Sequence, residues 1–410
     1  MQDMIELIII GSEILSGDTN DTNGPWLACY LKKMGFSLSK ATIIPDKPDI
    51  LKEVFRRSFK ENNIVITCGG LGPTKDDLTK EIISEVFDAI ISESDDAKKI
   101  VQTNYERLGK EWVPEHNFYH RIPKGFEPVS NPTGLAPGLF IEKNGKMFMS
   151  LPGVPSEFRN MFQKELFKKI KKEKAVPQTI MIRTRNISEE IMFNKVSPTL
   201  WKDLSKFGNP SSLPRTLGGI DIVLTMNDQN SSNDLKSYIQ SSPIKKHVWQ
   251  IGNKSLPEYI LDISRKKGLT IAFAESCTGG LLSSRITDIP GSSDCFKGTI
   301  VSYSNEAKIN VLGVKEDTLK NFGAVSIQTA EEMAKGAKNI LNADICVSIT
   351  GIAGPDGGTE EKPVGTVGIG FATSAKSGGE IKLFRGNRKE LKGRFSQAGL
   401  FLMLDLLMND

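Results

Sequence analysis

Four short apolar runs set the architecture of this chain: IELIII at 5–10, IVITC at 64–68, LTIAFA at 269–274 and ICVSIT at 345–350. Each is almost continuously β-favouring, the pattern of a strand covered on both faces of a parallel sheet. Each then breaks at glycines or small hydroxyl residues. Parallel strands need crossover connections, so amphipathic helices between such runs predict an α/β fold. Turns that follow parallel strands gather at one sheet edge, where α/β folds bind ligands.

Helical spacing covers 23–34, 50–62, 78–87, 97–108 and 156–172, and 140–151 reads as a hairpin about Asn144-Gly145. Residues 173–253 are poorer in glycine and richer in Ser and Asn, with strand-like runs at 179–184 and 220–226 and a polar stretch, 227–242, that reads as loop. The α/β rhythm then returns, with helices at 256–267, 281–288 and 329–341 and strands at 269–274, 299–303 and 345–350. Strands at 365–372 and 380–384 and a helix from about 394 to 407 complete it. A chain of 410 residues exceeds one ordinary core. The expected organisation is an α/β domain over 1–172, a small α+β module over 173–253 and a second α/β domain over 254–410.

Charge is nearly balanced, 53 basic against 49 acidic residues, which argues against a nucleic-acid or membrane partner. The five cysteines, scattered and without a C-x-x-C pair, fit a reducing cytoplasm better than a disulfide framework or a zinc site. The N-terminus shows no basic leader, and no apolar stretch nears the roughly 20 residues of a membrane span.

The turn AESCTGG (274–280) holds the most distinctive chemistry. A strand-to-helix turn can present one side-chain oxygen together with free N–H groups of the backbone, here from Ser276 to Gly280 through Thr278 and Gly279. Ser276 is the candidate nucleophile. SYSNEAK (302–308) supplies Lys308 as base, provided that its amine is kept neutral, and Tyr303 to relay the proton or hold the lysine. Read locally, Ser276 and Thr278 also suit helix caps, and Cys277 is a rival nucleophile. The loop 351–358, including Gly351 and Gly354, offers backbone donors to a phosphate or sugar, or is a connector; Arg388 and Arg394 are candidate phosphate clamps.

CGGLGPTKDD (68–77) makes a second candidate site, in which Gly69, Gly70 and Gly72 permit close approach to an anion. Asp76 and Asp77, with Glu13 and Asp21 from the first strand's edge, suit a divalent metal beside a pyrophosphate. As a local pattern, Asp76 and Asp77 equally suit a helix N-terminus.

The stretches AESCTGG, DIPGSSDCF (288–296), SYSNEAK, GAVS (323–326) and ITGIAGPDGGTEEKPVGTV (349–367) resemble the nicotinamide-mononucleotide deamidase domain of the CinA family. The resemblance implies hydrolysis of the carboxamide to nicotinate mononucleotide and ammonia. It implies Ser276 as nucleophile, Lys308 and Tyr303 in proton transfer, Ser293 and Thr350 lining the site, and Arg388 at the phosphate. It implies no cofactor for this half.

GSEILSG (11–17), DTN (21–23), CGGLGPTKDDLTKE (68–81), NPTGLAPG (131–138) and LPGVPSE (151–157) resemble the family's other half, a domain like the molybdopterin-binding MoaB type. This implies a metal-dependent ADP-ribose pyrophosphatase releasing AMP and ribose 5-phosphate. Glu13, Asn23, Gly69, Gly70, Gly72 and Thr74 would bind substrate, and Asp21, Asp76 and Asp77 the metal. Residues 117–121 depart from the family pattern, as does Ser12 before Glu13. By the same resemblance the middle region is a KH-type module, here without a G-x-x-G loop, and a homodimer is the expected assembly. Two other classes stay open: a non-catalytic pterin- or nucleotide-binding module, and an accessory of DNA uptake.

Overall fold

The computed structural model describes residues 4–74, 76–170, 178–215, 218–226 and 231–409. The chain divides into two compact units, 1–177 and 178–410, and both contain the expected α/β architecture. No helix among the described residues is long and apolar enough to cross a membrane.

The first unit is a six-stranded sheet in the order Lys40–Ile44, Ile5–Ile10, Ile64–Cys68, Lys146–Leu151, Gly138–Lys143, Glu127–Val129. The first four strands are parallel and the last two antiparallel. Alternation divides the first strand between two cores. Ile5, Leu7 and Ile9 join the cluster under helices Asn23–Lys33 and Pro155–Met161, whereas Ile8 and Ile10 join that under Pro48–Glu61 and Thr79–Phe87. Each such side chain stabilises by about 1.5–3 kcal/mol when fully buried. Glu6 lies wholly inside this strand, where its carboxylate accepts from Asn62 (2.7 Å) and Thr42 (2.9 Å), with Lys40 and Arg57 nearby. The hairpin is as expected: Lys143 pairs with Lys146 across Asn144 and Gly145, both at positive φ. Three strands point the same way, so the turns after Ile10, Cys68 and Leu151 meet at one edge.

The second unit holds two sheets. The middle module is a four-stranded antiparallel sheet in the order Gly208–Pro214, Ile220–Met226, Thr179–Thr184, Val248–Ile251. It joins its neighbour through a forked pair, Arg185 to Asp405 at 2.9 and 2.6 Å, and through Trp249, which packs in the larger core against Phe401. Within 227–242, read as loop, residues Ser231–Ser241 form a helix that buries Leu235 and Ile239; 227–230 lie outside the described residues. Two buried positions four apart were too sparse a stripe to stand out among serines.

The larger sheet runs Phe296–Val301, Ile271–Glu275, Ile345–Gly351, Thr366–Ala372, Ser377–Leu383, the first three strands parallel. Ile271 and Phe273 face helices Leu256–Lys267, Leu281–Thr287 and Arg388–Asn409; Ala272 and Ala274 face Asn305–Leu312 and Ile327–Leu341. The last helix begins at Arg388, not near 394, because Asn387 and Glu390 form a reciprocal cap: each backbone N–H donates to the other's side chain, at 2.9 and 3.1 Å.

Candidate active site

Ser276 follows the strand Ile271–Glu275, and Lys308 lies on the first turns of Asn305–Leu312, the helix reached after the neighbouring parallel strand. Both strands end at the same edge, and this brings residues 32 positions apart into contact. The Lys308 Nζ lies 3.1 Å from Ser276 Oγ, 2.9 Å from Ser302 O and 3.2 Å from Tyr303 O. Lys308 is 1% exposed and, among the described residues, its amine bonds a hydroxyl and two carbonyls and no carboxylate. Burial pulls its amine below the usual range, with a smaller opposing effect from Cys277. A neutral amine has two hydrogens and one lone pair. With two carbonyls taking those hydrogens, the neutral form would have its lone pair left for the serine hydroxyl, whereas the charged form would donate to it. That is the geometry of a general base on a nucleophile.

Cys277 is buried, and burial pushes its thiol up to about 12. A thiol protonated near neutral pH is a poor nucleophile, so the geometry favours the serine.

The turn's N–H groups are largely committed. Ser276 N–H donates to Ile349 O and Gly279 N–H to Ser276 O. Gly280, Leu282 and Ser283 N–H donate to the fully buried Glu275 carboxylate at 2.9, 3.2 and 3.0 Å. The oxyanion pocket expected from amides across 276–280 therefore narrows: among the described residues only Cys277 and Thr278 N–H lack an acceptor on another residue. Glu275 was not singled out in the sequence, although an acidic residue at a strand end before a helix start is the signal of such a cap. The Thr278 and Ser302 hydroxyls, both buried beside the nucleophile, have no partner either. Unsatisfied buried hydroxyls call for a partner such as a bound water or a polar ligand.

The structure places the remaining residues as follows. Tyr303 contributes its carbonyl to Lys308, but its phenol is 65% exposed and accepts from Arg388 at 3.3 Å, so the side chain stands at the rim and not at the amine. Arg388 also donates to Gly354 O at 2.5 Å and thereby joins the 351–358 loop to Tyr303. Lys392, one helical turn beyond Arg388, comes within 3.9 Å of where a Cβ on Gly279 would be, and is a second rim cation that the sequence reading missed. Thr350 is buried near the end of the strand Ile345–Gly351 and donates to Ala324 O at 2.7 Å, tying the strand to the loop before Ile327–Leu341. Ser293 does not join the site within this chain. It precedes Phe296, which pairs with Ile271 at the opposite end of the strand from Ser276, about 16 Å away at strand spacing.

In the first unit the three turns enclose a cavity of about 750 Å³, lined by Glu13, Gly69, Gly70, Gly72, Asp76 and Asp77 among others. Gly69 sits at φ 113°, where a Cβ would meet Ile10 O at 2.5 Å. Asp77 accepts from Thr74 N–H (2.9 Å) and its hydroxyl, so Thr74 shapes the loop. Asn23 lies behind the wall, donating to Cys68 Sγ and Gly153 O at 3.1 and 2.8 Å. Asp21 caps the helix that begins at Asn23, accepting from Asn23 and Gly24 N–H at 2.8 and 3.1 Å. The expected metal set of Asp21, Asp76 and Asp77 thus does not assemble, and among the described residues no three such side chains gather for a metal ion. Missed by the sequence reading are Glu157, which accepts from Asn131 at 2.6 Å, and Tyr119, whose phenol burial holds protonated; both line the cavity. Tyr119 comes from the departing stretch 117–121.

Residues 253–407 match the family model described as "CinA C-terminal domain", and residues 6–172 that described as "Probable molybdopterin binding domain". A CinA-like protein of Kosmotoga olearia is 36% identical over 405 residues, 96% of this chain and 97% of that one. A CinA-like protein of Dictyoglomus turgidum is 35% identical over 413 residues, 98% and 99% of the two chains. A solved structure, the competence/damage inducible protein CihA of Agrobacterium tumefaciens, is 38% identical over 37% of this chain and 93% of its own, with a TM-score of 0.36. With similarity to such relatives running through both units and nearly end to end, this chain belongs to the CinA family.

Proposed function

We propose that the second unit is an amidohydrolase that deamidates nicotinamide mononucleotide. The observation that carries this reading is the buried, unpaired Lys308 amine on Ser276 Oγ at 3.1 Å. Lys308 takes the serine proton as Oγ attacks the carboxamide carbon. The N–H groups of Cys277 and Thr278 receive the developing oxyanion. The protonated lysine returns the proton to the departing nitrogen, and ammonia leaves an acyl-serine, which water hydrolyses to the nicotinate product. Arg388 and Lys392 at the rim supply the charge for the nucleotide phosphate.

The test is ammonia release from nicotinamide mononucleotide by the full chain and by Ser276→Ala. Loss of release with an unchanged melting temperature supports the serine. Full release in the variant overturns the reading.

For the first unit we propose ADP-ribose pyrophosphate cleavage, on the strength of the cavity's charge. Among the described residues, Glu13, Asp46, Asp76, Asp77 and Glu157 face it against Lys110. Such a wall repels a pyrophosphate unless a divalent cation accompanies the substrate, as magnesium does when it keeps waters and uses substrate phosphates. Asp76 and Asp77 are the residues that would hold it, and its chemistry would be charge neutralisation. AMP release from ADP-ribose, with and without chelator, tests this. Chelator-insensitive cleavage would refute the role of the ion; saturable binding without cleavage would favour a binding module.

A further inference from the structure

A second cavity in the 178–410 unit, of about 320 Å³, lies between the four-stranded sheet and the helices Leu256–Lys267, Leu281–Thr287 and Arg388–Asn409. None of its lining residues belongs to the deamidase site. Arg183, Arg215 and Arg285 face it together with a single carboxylate, Asp221. Asp221 is 3% exposed and is already shared: it accepts from Arg183 Nη1 at 3.0 Å and from Arg215 Nε at 2.7 Å. Arg285 has no share in it. Its two terminal nitrogens donate to Ser396 Oγ at 3.0 Å and Gln397 Oε1 at 2.6 Å, both neutral. The Nε of Arg183 is buried without an acceptor. Three guanidinium groups thus line the cavity against one lining carboxylate, with Glu258 acting on Arg183 from outside it, and the remaining excess of positive charge in partly buried surroundings favours entry of an anion.

We propose that this cavity binds a small phosphate-bearing anion. Arg215 already places Nε and Nη2 on Asp221, and Arg285 its two terminal nitrogens on Ser396 and Gln397; the N–H hydrogens left over on the two guanidinium groups are donors for phosphate oxygens, and the anion offsets the excess charge. The volume falls at the lower end of ligand clefts, which suits inorganic phosphate or a sugar phosphate. Burial alone holds the Arg285 guanidinium below its usual range, in keeping with a cation that lacks an acidic neighbour.

The test is calorimetric titration of the full chain with inorganic phosphate and, separately, with ribose 5-phosphate, at matched ionic strength in chloride. Saturable binding of either anion, weakened at least tenfold by Arg215→Gln and by Arg285→Gln, is the expected result. Equal affinity for the two assigns the site to the bare anion, and tighter binding of the ester assigns it to the sugar phosphate. Arg388→Gln and Asp77→Asn, which alter the two candidate active sites, should not remove the binding component that Arg215→Gln and Arg285→Gln weaken. Trp249 lines this cavity, so its fluorescence should respond in the same titration. If Arg285→Gln fails to fold, Arg215→Gln decides, because that side chain is 46% exposed. Absence of saturable binding, or binding indifferent to both arginine variants, overturns the proposal.

Discussion

Replacing Lys308 with methionine separates the chemistry of its amine from the volume it fills. The amine lies within hydrogen-bond reach of Ser302 O, Tyr303 O and Ser276 Oγ, whereas the thioether offers similar bulk and no base. Loss of a general base lowers the rate by about 10²–10⁴, or roughly 3–5 kcal/mol of barrier. The same substitution changes how stability depends on pH. The folded chain holds Lys308 below its ordinary value of 10.5. Between that lowered value and 10.5 the unfolded chain binds the extra proton, so stability rises with pH across this window. It rises by up to about 1.4 kcal/mol per pH unit and is lost as pH falls through the folded value. Lys308→Met lacks this contribution, so the stability of the native chain relative to the variant should increase toward alkaline pH. Ammonia release across pH and urea denaturation at several pH values read the two effects. Variant activity within tenfold of native, or parallel stability curves over the alkaline range, would refute a neutral buried base.

Glu275→Gln removes a charge that holds three N–H groups and the Ser283 hydroxyl, so a loss of about 2–3 kcal/mol is expected in denaturant unfolding, with weaker deamidation as the turn loosens. Cys277→Ala should keep deamidation within a few-fold of native, since its thiol at about 12 is protonated at neutral pH; loss of activity would return the nucleophile to that position. Asp77→Asn should lower AMP release from ADP-ribose at least tenfold while ammonia release from nicotinamide mononucleotide persists, and equal loss of both would show that the two reactions do not belong to separate units.

Much of this fold was legible because its cues are local. The double-faced strands at 5–10 and 64–68 read directly from continuous apolar runs, and the Asn144-Gly145 turn from its need for positive φ. Short polar helices were harder. The helix Ser231–Ser241 carries few buried positions, and the start of Arg388–Asn409 depends on a cap between Asn387 and Glu390 rather than on apolar spacing. At the candidate sites, residue types were legible and their partners were not. Asp21 commits its carboxylate to helix N–H groups, Thr350 ties its strand to the loop at Ala324, and Ser293 belongs to the far end of its sheet.

Taken alone, the amino-acid order determined which segments are strands, where glycine turns interrupt them, and that Ser276 and Lys308 each stand after a strand of the α/β pattern. These depend on spacing along the chain, and spacing is written in the chain itself. Tertiary packing decided that the lysine is stripped of water and of carboxylates, that Glu275 absorbs the helix-start amides, and that Arg183 and Arg215 share one aspartate while Arg285 lines the same cavity without one. Charge state and hydrogen-bond supply are set by whatever lies within a few ångströms through space, and those neighbours come from distant parts of the chain.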